Sequence, residues 1–258
     1  MTKKKFWFWL GLAIATCFLI VFSEFQPGKA QEPELTLPPL QVHPLPPSLA
    51  QWQDEENQGD YFAQVKPSPA GYLVWWEFPL KVYLERLPNP QDRSASSLRF
   101  QKWTEAVLQA IQEWNIYLPL VEVPQPELAD IIIQRVEPPL DSRRNPETGN
   151  LEVSRARAAQ TRYDFYLRRD RRNQVPILSQ RMTIQISPRR SPASILATSR
   201  HELGHALGIW GHSNLESDAL YVSQVANPPP ISVRDINTLK KIYQQPTRLG
   251  WALAKSQN

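Results

Sequence analysis

The stretch His201-Glu202-Leu203-Gly204-His205-Ala206-Leu207-Gly208-Ile209-Trp210-Gly211-His212 decides how this chain is read. Four residues of α-helix turn the chain by about 400°. His201 and His205 therefore project from one face, a turn apart. Two imidazoles so placed can bind one metal ion, and Glu202, beside the first, can reach a water on that ion. The chain holds four His (43, 201, 205 and 212) and sixteen Glu. Scattered at random, they produce H-E-x-x-H about 0.004 times, so chance is a poor account of the pattern. A buried helix with two satisfied histidines is the bland alternative, and apolar helices seldom bury ionisable groups without partners.

His212 is the candidate third ligand. On a straight helix it would sit about 10 Å beyond His205 along the axis. Zinc–nitrogen bonds are only about 2.0–2.1 Å, so the helix must break and the chain turn back. Gly208 is placed to do this, since glycine enters the left-handed region without a Cβ clash. Three neutral His leave zinc its full charge and one open position, where the pKa of a water falls towards about 7. Glu202 is then the general base that later returns the proton to a leaving amine.

H-E-x-x-H-x-x-G with a third His resembles the metzincins, and Gly211-His212-Ser213 is similar to the matrixin branch, bacterial and cyanobacterial matrixin-like proteases in particular. Two departures stand out. Three residues, not the family's two, separate Gly208 from His212. The family also carries a Met-containing turn beneath the metal, and Asp218-Ala219-Leu220-Tyr221 occupies that place without Met. The resemblance implies that Leu220 packs under the ligands instead. It implies that Tyr221 is structural, with oxyanion donation the other role open to it. Asp235 matches one of the paired acids at the start of the family's last helix, where it holds the backbone of the turn; Arg234 stands in place of the other. The plainer reading of Asp235 is an acid that favours the helix N-terminus by its charge.

The resemblance further implies one catalytic zinc, a protein or peptide substrate and hydrolysis of peptide bonds. Two alternatives remain open. A gluzincin would take its third ligand from a carboxylate such as Glu216 or Asp235, against which Gly208 and His212 argue. A catalytically weak or inactive zinc-binding envelope protein that binds a partner is the other, motivated by the missing Met and the extra residue. His43 could touch the metal only in a state where a pro-segment covers the cleft.

The rest of the chain fits an α+β fold of the zincin or metzincin kind, over residues 71–247. The expected layout is a twisted, mainly parallel sheet with an antiparallel edge strand, a long helix, an active-site helix and a C-terminal helix. Leu80–Leu84 alternates as a strand. Phe100, Trp103, Val107, Ile111 and Trp114 form one face of an amphipathic helix. Strands follow at 118–123 and 130–133, and 137–153 reads as a loop. Residues 155–167 and 182–187 are strand-like, the first being the family's sheet edge above the metal, where peptides pair antiparallel. Ser191-Pro192 starts the active-site helix, and Ser232 with Asp235 forms a capping box at the last one.

Outside that domain, residues 1–30 read as a signal peptide or N-terminal membrane anchor: Lys3, Lys4 and Lys5 precede an uncharged apolar run from Phe6 to Phe22. Export is expected, to the periplasm, the exterior or the outer side of a membrane. Residues 31–70 read as a Pro-rich acidic linker or pro-segment, and 248–258 as a C-terminal tail. Cys17, the single cysteine, excludes a disulfide and a thiolate zinc site downstream. A net charge of +4 implies no nucleic-acid partner. Twelve Arg against four acids between 143 and 190 form either a solvated basic surface or one that attracts acidic partners.

Overall fold

The computed structural model describes residues 35–140, 142–144, 148–153, 157–169, 175–223 and 227–255; the leader expected over 1–30 lies outside them. Among the described residues no helix is long and apolar enough to cross a membrane. The chain divides into two compact units, residues 1–36 with 255–258, and residues 37–254. Of the first, the described part includes the short extended segment β1 (Leu35–Thr36).

The larger unit is α+β. In chain order it carries α1 (Pro47–Gln51), β2 (Leu80–Leu84), α2 (Ala95–Asn115), β3 (Leu120–Glu122), β4 (Ile131–Gln134), β5 (Ser142–Arg144), β6 (Leu151–Val153), β7 (Ala159–Arg169), β8 (Pro176–Ile186), α3 (Pro192–Ala206) and α4 (Val233–Tyr243). Five strands form one sheet in the order β3-β2-β4-β8-β7. The first three pairings are parallel, and β7 runs antiparallel to β8 at the edge. Leu80, Val82 and Leu84 are buried on alternate positions of β2, as are Ile131 and Ile133 on β4, so one sheet face feeds the core. Trp103 and Trp114 of α2 are fully buried, each burying far more apolar area than a Leu. The Nε1 of Trp114 donates to Arg200 O of α3 at 2.9 Å, which locks the two long helices together.

The structure departs from the sequence reading in three places. Within the expected loop 137–153, β5 and β6 pair as an antiparallel hairpin; at three residues each, Ser-Arg-Arg and Leu-Glu-Val are too short for a period to announce them. β8 begins at Pro176 rather than Met182, because it pairs with β7 over eleven positions and main-chain bonds need no hydrophobic pattern. The third departure touches the segment expected as a linker or pro-segment, and only its reading as a free linker. From residue 37 it belongs to the body. Leu49 is fully buried, and Tyr61 and Val65 nearly so. Complete burial of one such leucine stabilises by about 1.5–3 kcal/mol. The tail is likewise docked: Leu249 is fully buried and Gly250 N donates to Leu178 O at 2.8 Å.

Candidate metal centre

α3 is capped by Ser191, whose hydroxyl accepts from Ser194 N, with Pro192 in the first turn where its missing N–H costs nothing. It ends at Ala206. Gly208 follows at φ +128°, and a Cβ there would lie 2.5 Å from Leu73 O. Both the dihedral and the neighbouring backbone therefore require glycine at the break. Trp75 Nε1 donates to Ala206 O at 2.9 Å and the Tyr243 hydroxyl to Leu207 O at 3.0 Å, which satisfies carbonyls the helix leaves open. Past the break the chain returns and brings His212 to the first two histidines. Ligand nitrogens of His201, His205 and His212 lie within 4.8 Å of one another.

The outer nitrogens fix the tautomers. His201 Nδ1 lies 3.0 Å from Ala219 O and His205 Nδ1 lies 2.7 Å from Ile209 O. Carbonyl oxygens only accept, so each Nδ1 carries the proton and each Nε2 keeps a lone pair. These two Nε2 atoms are 3.1 Å apart. Two lone pairs at that separation repel unless a cation sits between them. Burial, and for His201 also the adjacent His205, lowers the pKa of both rings to about 4, and burial lowers that of His212. All three are neutral at pH 7, the state a metal needs. The donor set thus fits a divalent ion of borderline softness.

Glu202, on the same helix, is buried beside this cluster. Its Oε2 accepts from the Thr161 hydroxyl of β7 at 2.6 Å, while Oε1 takes no hydrogen bond from the described residues. Burial raises the pKa of this carboxyl, opposed by the neighbouring His201 and by Thr161. Two hollows meet at His201 and Glu202. One, of about 410 Å³, runs between Ala197, Thr198, Ala219, Tyr221 and Pro228. The other, of about 820 Å³, borders Thr161, His205, Trp210 and His212.

Beneath the cluster runs the turn Asp218–Tyr221. Leu220 is fully buried against Gly204, on which a Cβ would come 2.5 Å from Leu220 Cδ2. Asp235 Oδ2 accepts from Ala219 N at 2.9 Å and from Ser232 N at 2.8 Å, so one carboxylate holds the turn and closes the capping box. Burial, the largest influence on this carboxyl, raises its pKa despite these bonds. Arg234 pairs with the buried Asp218 at 3.1 Å. Tyr221 lines the smaller hollow. Glu216 is not part of the cluster among the described residues. His43 is elsewhere: its Nε2 lies 2.8 Å from Leu249 O and its ring stacks on Trp251. Thr161 and Gly204 were not singled out by the sequence. Nothing local marks a threonine 41 positions upstream as a partner of Glu202. No protein-family model matches this chain, and no curated protein matches it.

Proposed function

We propose that this chain is a zinc-dependent endopeptidase of the metzincin type, close to the matrixins, and that residues 1–30 direct it out of the cytoplasm. The convergence of three neutral imidazoles beside a buried carboxylate carries the reading. The sheet order supports it: the antiparallel edge strand β7 brings Thr161 to Glu202, and its outer side offers main-chain donors and acceptors to an extended peptide. His201, His205 and His212 would hold the ion, which supplies Lewis acidity and acidifies a water.

The remaining steps belong to the chain's own residues. Thr161 anchors Oε2 of Glu202, and Oε1 takes a proton from the attacking water. The new C–O bond forms at the scissile carbonyl as its C–N bond breaks, and Glu202 passes the proton to the departing nitrogen.

The test is hydrolysis of casein and of a quenched peptide library by the full chain, with and without a zinc chelator. Chelator-sensitive cleavage restored by zinc is the expected result. Zinc binding without any cleavage supports instead a metal-binding protein of the cell envelope.

A further inference from the structure

The segment that precedes the sheet is not only docked; it ends at the metal centre. Gln58 O and Asp60 O accept from the Arg234 guanidinium at 3.1 and 3.2 Å. Asn237 Nδ2 donates to Gly59 O at 2.7 Å. Tyr61 N donates to Thr238 Oγ1 at 3.0 Å, and the Tyr61 hydroxyl to Asp235 Oδ1 at 2.6 Å. Farther on, Lys66 N donates to Trp210 O at 3.0 Å, and Gln64 O presses on Gly211, where no Cβ fits. Gly211 and Trp210 immediately precede His212. Residues 58–66 thus grip both sides of the cluster, the loop that delivers the third histidine and the turn that orients the first.

On the second side the contacts form a continuous relay. Tyr61 Oη donates to Asp235 Oδ1, Asp235 Oδ2 accepts from Ala219 N, and Ala219 O accepts from His201 Nδ1. Without the phenol, Oδ1 of Asp235 keeps only Leu220 N at 3.4 Å, a weak contact. Oδ2 would keep Ala219 N and Ser232 N, but the carboxylate would lose its anchor on the strap, and the direction it gives the peptide at Ala219 would be less firmly set.

We propose that Tyr61 is a positioning residue of the metal centre, and that the strap 58–66 is a permanent part of that centre rather than a removable cover. The proposal rests on the reading that the three histidines hold a metal. It also sets a limit on maturation: a cut that removes Tyr61 lowers metal affinity instead of opening the site.

The experiment uses the full chain and its Tyr61→Phe variant, which keeps the buried ring and removes only the hydroxyl. Zinc affinity is read by competition with a chromogenic chelator, and ligand geometry by the visible absorption of the cobalt(II)-loaded protein. Tyr61→Phe should bind zinc at least tenfold more weakly and shift the cobalt bands. Arg86→Ala, which removes the surface ion pair from Arg86 to Glu122 outside both the strap and the relay, should leave both unchanged. Wild-type affinity and bands in Tyr61→Phe would overturn the proposal. A wild-type chain that takes no zinc instead sinks the metal-site reading on which it rests. Coupling is reciprocal, so the unmutated protein provides a second measurement. Zinc should slow hydrogen exchange at the amides of Tyr61 and Lys66 tenfold or more, with β2 amides unaffected. Equal protection of the strap with and without zinc also overturns it.

Discussion

Gly204 and Leu220 touch across the floor of the histidine cluster, leaving no room for a methyl group between them. A Cβ on Gly204 would also fall 3.1 Å from Trp114 Cζ2, so neither neighbour can retreat freely. The two inner positions of H-E-x-x-H are thus set by packing, while the outer ones are set by chemistry. Gly204→Ala should cost about 1–3 kcal/mol of stability, the usual range for overpacking. It should also weaken metal binding, because Leu220 is displaced along with the turn that carries Ala219 O. Chemical denaturation and zinc titration check the two effects; a variant unchanged in both would show that Leu220 does not floor the site.

The third ligand separates the readings of the metal. His212→Ala should reduce zinc affinity by orders of magnitude, whereas Glu216→Ala should have no effect, since Glu216 lies outside the cluster. The reverse pattern would hand the third position to a carboxylate.

Glu202→Gln addresses the base. The amide can still take the Thr161 hydrogen bond through its oxygen, but it cannot accept a proton. Zinc should remain bound while peptide hydrolysis falls by at least a hundredfold. Full turnover in this variant would remove Glu202 from the proposed mechanism.

Asp60 gives the strap a dependence on pH. Desolvation alone would raise its carboxyl, but the hydrogen bond and charge of Lys241, with Phe62 N and Arg234, outweigh that and hold its pKa below the ordinary value. A carboxyl whose folded pKa is depressed stabilises the fold above its unfolded pKa and loses that contribution as pH falls through the folded one. Asp60→Asn should therefore be less stable than the natural chain at pH 6, by no more than about 1 kcal/mol for so accessible a pair. The difference should shrink as pH falls through the ordinary carboxylate range towards the depressed folded value, and a gap that stays constant there would assign the effect to something other than charge.

What the sequence disclosed followed from local rules. Helical spacing placed His201 and His205 on one face, and the reach of a metal–nitrogen bond demanded a break, which Gly208 supplies at φ +128°. Side-chain periodicity marked α2, and Ser232 with Asp235 marked the start of α4. The hidden parts depend on contacts between distant positions. Thr161 is an ordinary strand residue until β7 is laid beside α3. The proline-rich stretch carries little regular structure, yet Leu49, Tyr61 and Val65 find buried places along it. Proline content describes the backbone and is silent about where such side chains go. The floor of the site was only half legible: a leucine in place of the expected methionine could be read, but not the glycine that admits it.

The strap also imposes an order on assembly. Tyr61 leaves the ribosome 174 residues ahead of Asp235 and 177 ahead of Thr238, its partner at the main chain. Contacts so far apart in sequence close late, after the sheet and the long helices can already form. A nascent chain that already displays His201, Glu202, His205 and His212 still lacks the last helix that joins strap to floor. Alignment of the three histidines thus waits for α4, and a nascent chain that stops short of it carries them without the frame that aims them.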